Sequence, residues 1–309
     1  MLFNKDLNGS LELYEISGTF QAGSDYHGIE AEIESATAEV AAIVGESVIS
    51  AAEEAYAAVI PTDAQKALAD AVRKPVAYLA ISMHARLNAL SHGETGRKLK
   101  VDDNEKIPFE WMIDRDDREM RERYYRALDA LFRFLESSDI EAWKSSANRL
   151  RLQGSVVKSI AELENVYPVE HSYYMFYRLL PLMLEFQEGR LRKLIGDERI
   201  DALVSSAEAA RPWQNPSRRC IILNAIVTAV RRWSIDTFPL AVVRRFAPTY
   251  QGNRSSSAAT MQEIDWYVRN LMEQAKEAEN ELLEAISGNP YDGMPLIPDN
   301  DPRKKYFTV

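Results

Sequence analysis

Residues 41–55 read AAIVGESVISAAEEA and residues 192–207 read RKLIGDERIDALVSSA. In both, two apolar residues precede a glycine, an acid follows it, and an isoleucine stands four places beyond. Gly45 and Gly196 lie 151 residues apart, and at that spacing Ile43, Val44, Glu46 and Ile49 fall on Leu194, Ile195, Asp197 and Ile200. Working outward, Tyr26 meets Tyr177, Ile29 meets Leu180, Ile33 meets Leu184, Ile113 meets Ile264, Ala127 meets Ala278, and Leu131 meets Leu282. Apolar class is kept at helix-spaced positions while identity is mostly lost, which predicts a helical unit present twice in tandem.

The elements around these glycines follow from periodicity. Ile29, Ile33, Ala36, Val40 and Ile43 recur at steps of four and three with acids between them, an amphipathic helix stopped or bent at Gly45. Its counterpart runs from about Tyr173 to Ile195 and is punctuated by Gly196. Thr62-Asp-Ala-Gln65 after Pro61 is a capping box opening a helix to about Leu90, with a kink expected at Pro75. In the second half Asn215 as cap and Pro216 in the first turn open a helix to about Phe238. Irregular or hairpin-like stretches, 91–108 and 240–257, each precede a long helix, Phe109 to Glu136 and Thr260 to Ile286. The expected fold is mainly α: a first helical unit over 1–140, a junction over 141–170, a second unit over 171–287, and an extended tail over 288–309. Each unit is expected to carry a small β-hairpin or irregular segment before its last long helix.

Composition narrows the function classes. The chain has 309 residues, 46% of them hydrophobic, and a net charge of −10. Residues 1–150 hold 17 Lys and Arg against 27 Asp and Glu, whereas 151–309 hold 20 of each, so the first half carries the whole imbalance. An acidic surface repels phosphate, which argues against DNA wrapping by that half and suits a wall past which DNA slides without sticking. No signal-peptide pattern and no long uninterrupted apolar run appear, so membrane insertion is not expected. Cys220 is the only cysteine and sits in an apolar stretch, where a small buried hydrophobe is the expectation.

Catalytic patterns fail on spacing. Gly93-Glu-Thr-Gly96-Arg-Lys98 lacks the four residues that a phosphate loop places between its glycines. His84 and His92 are eight apart and lack further ligands at metal spacing. The run from Asp114 to Arg123 interleaves opposite charges at helical spacing, as on a solvated helix face. No catalytic, cofactor-binding or metal-binding residue is assigned, and no cofactor is expected. Arginine pairs recur about thirteen residues apart at Arg218-Arg219, Arg231-Arg232 and Arg244-Arg245, and on one side of a unit they would form a basic stripe; the candidate interface residues are Arg231, Arg232, Arg244 and Arg245 from these pairs, and Tyr306 and Phe307 in an apolar chain end that needs a receiver.

The doubled unit, the junctions at Gly45 and Gly196, and the extended tail ending near Phe307 resemble an uncharacterised family of Bacteroides-type phage and prophage proteins. Each half is also similar in layout to the head–tail connector (adaptor) proteins of tailed phages. The resemblance implies a virion structural protein that forms a homo-oligomeric ring at the portal vertex and is monomeric in isolation. It implies portal, tail or collar proteins as partners and a channel through which DNA passes without specific binding. It also implies residence in the virion and, during assembly, in the host cytoplasm. A helical scaffold or regulatory protein of the bacterium is the alternative, and an enzyme with an unrecognised motif the third reading.

Overall fold

The computed structural model describes residues 1–4, 6–88, 90–93, 96–99, 109–233, 244–247, 255–258 and 260–287. The protein is mainly helical and divides into two compact units, residues 1–151 with 172–177, and residues 152–171 with 178–309. The expected junction over 141–170 therefore does not stand apart. Its first eleven residues pack into the first unit, and the remainder belongs to the second.

In the first unit α1 (Gly9–Ser17) leads through a 3-10 turn (Tyr26–Gly28) to α2 (Glu30–Val44), α3 (Glu46–Ala57) and α4 (Asp63–Asn88). Strands β1 (Leu90–Gly93) and β2 (Gly96–Leu99) pair antiparallel, with Leu90 opposite Leu99, and precede α5 (Glu110–Ser137). Short helices α6 (Glu141–Lys144) and α7 (Ala147–Gln153) follow. The capping box at the start of α4 forms: Gln65 N–H donates to Thr62 Oγ1 at 3.2 Å, and Gln65 Oε1 accepts from Thr62 N–H at 2.9 Å. Pro75 lies inside α4 and is buried. The core is the α4–α5 packing, with Val72, Val76 and Ala80 on one side and Leu128, Leu131 and Leu135 on the other, all without solvent contact. Burying each of these valines and leucines contributes about 1.5–3 kcal/mol.

Gly45 joins α2 to α3 at φ 106° and ψ 141°, a region closed to residues with a Cβ, and its N–H still donates to Ala41 O at 2.7 Å. The chain thus ends one helix and starts the next without a loop. Over this corner sit α6 and α7. Ser47 Oγ donates to Ala142 O at 3.0 Å, Asn148 Nδ2 donates to Ile43 O at 2.7 Å, and a Cβ on Gly45 would meet Ser146 Cβ at 3.5 Å. Trp143 of α6 is buried edge-on against Phe132 and Tyr177, with ring centres at 5.7 and 5.4 Å.

The second unit contains α8 (Ile160–Glu164), the helical run α9 (Tyr173–Phe186), a π-helical segment (Gln187–Leu191) and α10 (Arg192–Ile195), then α11 (Asp197–Val204) and α12 (Arg211–Trp233). The first residues of α9, to Tyr177, are assigned to the first unit. Strands β3 (Arg244–Ala247) and β4 (Ser255–Ala258) pair antiparallel ahead of α13 (Met261–Ser287). Gly196 separates α10 from α11 at φ 89° and ψ 160°. Helix α12 begins at Arg211, ahead of the expected cap Asn215, and carries Pro216 inside it. As the sixth residue of the helix Pro216 lies in its second turn, where it removes one backbone N–H that would otherwise donate back along the helix. The second capping box forms as read: Thr260 Oγ1 accepts from Glu263 N–H at 3.3 Å, and Glu263 Oε2 accepts from Thr260 N–H at 3.0 Å. Helices α12 and α13 form the main contact, through Ile222, Ala225, Ile226 and Ala229 against Ile264, Val268, Leu271, Ala275 and Ala278.

Candidate functional site

Three polar side chains of the first unit converge on Glu136. It accepts from Trp143 Nε1 at 3.0 Å, from Arg149 Nη1 at 3.0 Å and from the Tyr177 hydroxyl. Burial is the main cause that pushes the Tyr177 phenol far above its ordinary range, with the hydrogen bond to Glu136 adding to it. Half-buried Asp129 accepts from Ser172 Oγ at 3.1 Å and from Tyr174 N–H at 2.9 Å, which caps the start of α9. The donors to both acids belong to the same unit, so the network braces its helices.

The second unit is laced by ion pairs. Arg218 meets Glu162 at 2.7 Å, Arg219 meets Glu281 at 2.6 Å, Arg190 meets Glu279 at 2.6 Å, and Arg232 meets Glu185 with two contacts of 2.6 Å. The hydrogen bonds it donates to Glu185 hold the Arg232 guanidinium above its ordinary pKa. These contacts revise the expected basic stripe. Helix α12 runs unbroken from 211 to 233, so a thirteen-residue step rotates by about 1300°, roughly 220° beyond three turns, and turns successive pairs to different faces. Arg218, Arg219 and Arg232 accordingly reach three different elements, α8, α13 and α9. Arg231 is exposed and engaged within the chain. Arg244 and Arg245 lie on β3, and Tyr306 and Phe307 lie outside the described residues.

A polar recess of about 460 Å³ is lined by Glu162, Asn165, Asn215, Arg218, Arg219 and Glu281. Its two guanidinium groups are each matched by a carboxylate, so it offers no net charge to an anion. His84 binds Asn88 through Nε2 at 2.7 Å and meets the Phe20 ring edge at 6.1 Å. Among the described residues no group of three or more His, Cys, Asp or Glu is placed to hold a metal ion, and no helix is long and apolar enough to cross a membrane. Cys220 has no solvent contact, and burial pushes its thiol up to about 12, where a thiolate nucleophile is out of reach near neutrality. In the run from Asp114 to Arg123, Asp114, Arg115 and Asp116 are exposed while Asp117 pairs with Arg86 at 3.2 Å, the behaviour of a solvated helix face.

What the sequence reading passed over is apolar. At the start of α5 Phe109 is 68% exposed and Trp111 52%, with Met112 and Ile113 beside them. At the start of α13 Met261 and Trp266 are each 65% exposed. Aromatic residues set among charges on the outer face of a helix were the available signal, masked by the ion-pair pattern around them. Residues 41–151 match DUF6712, a family of unknown function, and the match ends at Arg151, where the first unit's continuous stretch also ends. No curated protein and no solved structure matches the chain.

Proposed function

We propose that the chain is a virion structural protein, built from two copies of one helical unit with a short strand pair before the last long helix of each, and that it serves as a head–tail connector or collar ring component at the portal vertex of a tailed phage or prophage. Several agreements at one spacing support the duplication. The starts of α8, α11 and α13 follow those of α1, α3 and α5 by 151 residues. Buried pairs at that spacing include Val40 with Leu191, Val44 with Ile195, Ile49 with Ile200, Ala52 with Leu203, and Leu131 with Leu282. Gly45 and Gly196 share a backbone conformation that only glycine enters readily.

The observation that carries the assembly role is the exposed aromatic surface at the start of the last long helix of each unit, at Phe109 and Trp111 and again at Trp266. Large exposed aromatics mark contact surfaces and are enriched among interface anchors. Two such surfaces on one chain suit a heterologous contact, which closes into a ring when the rotation permits. The acidic first half suits a channel wall that lets DNA pass. The test is co-expression with the portal protein of a phage or prophage that carries this gene, followed by electron microscopy. Rings of this chain seated on the portal are the expected image, and a chain that stays monomeric and separates from the portal would sink the reading.

A further inference from the structure

A groove of about 400 Å³ lies where the start of α13 meets the end of α12. Its apolar lining is Met261, Ile264, Val268 and Met272, which recur at steps of three and four and so share one face of α13. Ile264 and Val268 are buried and form the floor, whereas Met261 is 65% and Met272 47% exposed. Methionine suits such a place, because its unbranched thioether adapts to whatever is laid against it. Arg231 and Arg269 also line the groove, beside a single acid, Asp265. Arg269 is exposed, and its Nε donates to the Asp265 carbonyl at 3.3 Å, a contact that does not neutralise its charge.

The start of α5 presents a stripe of matching form. Phe109, Met112, Ile113 and Asp116 stand at i, i+3, i+4 and i+7, the spacing by which a helix lays one face into a groove. Phe109 is the N-cap, and its carbonyl accepts from Met112 N–H at 2.8 Å and from Ile113 N–H at 3.3 Å, so the stripe begins with the helix itself. Met112 is 43% and Ile113 45% exposed, Phe109 more so, and Asp116 is exposed as well. Three apolar side chains thus lead to a carboxylate, as the groove sets an apolar floor beside two guanidinium groups. Trp111 and Trp266 stand on other faces of their helices. Trp111 is two residues, about 200°, from Ile113, and Trp266 is five residues, about 140° beyond a full turn, from Met261.

We propose that the α12–α13 groove of one copy receives the Phe109–Asp116 face of α5 from a second copy, with Asp116 set against Arg269. Charge favours this occupant. Residues 1–150 carry the whole acidic excess, 27 Asp and Glu against 17 Lys and Arg, while the groove holds two arginines and one aspartate. The two surfaces are different parts of the chain, so the contact runs head to tail and each copy still offers one surface to the next. The inference rests on the ring assembly proposed above and assigns the residues of its subunit contact; Trp111 and Trp266 stay available to the portal.

Disulfide trapping between full-length chains tests it. In a Cys220→Ala background, chains with Ile113→Cys are mixed under mild oxidation with chains carrying Met272→Cys, and separately with chains carrying Gln274→Cys, about 200° further around α13. All these positions are exposed, so the substitutions leave the fold intact. The first mixture is expected to give a covalent heterodimer several-fold faster than the second. Arg269→Glu in the groove chain should slow that link several-fold, and Asp116→Arg in its partner should restore it. Equal linking to Met272→Cys and Gln274→Cys, faster linking of Ile113→Cys chains to one another, or charge reversal without effect would overturn the assignment. Portal-bound rings imaged without the link between positions 113 and 272 would sink this contact and leave the connector reading standing. The link without portal-bound rings would do the reverse.

Discussion

Gln187 has no solvent contact, and its amide does the work of a piece of backbone: Oε1 accepts from Val156 N–H at 2.9 Å, and Nε2 donates to Gly154 O at 2.8 Å. Ala36, which the proposed 151-residue spacing pairs with Gln187, is equally buried and has no polar side chain for such a task. The polar residue coincides with the start of the π-helical segment, a one-residue widening that commonly marks local strain or a special contact. Cys220 shows the opposite behaviour, a thiol kept neutral by its surroundings. Its folded pKa of about 12 lies above the ordinary value of 9.0, so the unfolded chain loses this proton first as pH rises. The contribution of Cys220 is therefore fully present below pH 9 and declines between 9 and 12 by up to about 1.4 kcal/mol per pH unit. Tyrosines titrate in the same window, so the measurement is a difference: urea unfolding of the wild type and of Cys220→Ala at pH 8 and pH 10.5. The gap between the two proteins is expected to narrow at the higher pH by about 1–2 kcal/mol. A constant gap would mean that the thiol is hydrated.

At the scale of elements, the glycine corners set the architecture. Placing Ala at φ 106° or 89° costs about 1–3 kcal/mol of backbone strain. Gly45→Ala must also fit against Ser146 Cβ at 3.5 Å, an ordinary van der Waals contact, so conformation dominates at both positions. Each substitution is expected to lower stability by about 1–3 kcal/mol in chemical denaturation. A loss below about 0.5 kcal/mol would show that the corner relaxes into a loop. These corners were legible in the sequence because a glycine between two apolar periodic runs has few other readings. So were α2, both capping boxes and α5, whose side-chain signals are local. The start of α12 was not legible. Asn215 and Pro216 form a good helix start, yet the helix has already begun at Arg211, where the 3-10 turn Glu208–Ala210 runs directly into it. The two arginine pairs of α12 do not share one side, because a thirteen-residue step turns successive pairs to different faces of an α-helix. Short-range patterns specify caps and corners, whereas partners such as Glu281 for Arg219, 62 residues away, depend on packing that a linear reading does not contain.

For the molecule as a whole, charge and apolar exposure point to different uses. Arg218, Arg219, Arg190 and Arg232 hold carboxylates of their own unit, and an arginine so engaged has little left to offer a neighbour. Exposed pairs of this kind contribute about 0–1 kcal/mol each, so the network orients helices more than it stabilises them. The aromatic residues Trp111 and Trp266 are more than half exposed, so they gain little from the fold that carries them. At an interface the same residues are strong anchors, because a buried tryptophan costs about 2–4 kcal/mol to remove. The two roles predict a clean separation. Trp111→Asp and Trp266→Asp are each expected to leave the unfolding free energy within about 0.5 kcal/mol of wild type. Binding to the portal, or ring closure on it, should weaken at least tenfold, read by co-sedimentation. Loss of stability in parallel with loss of binding would place these side chains inside the fold's own support. Full binding by both variants would remove the aromatic surface from the interface and with it the observation on which the assembly role stands.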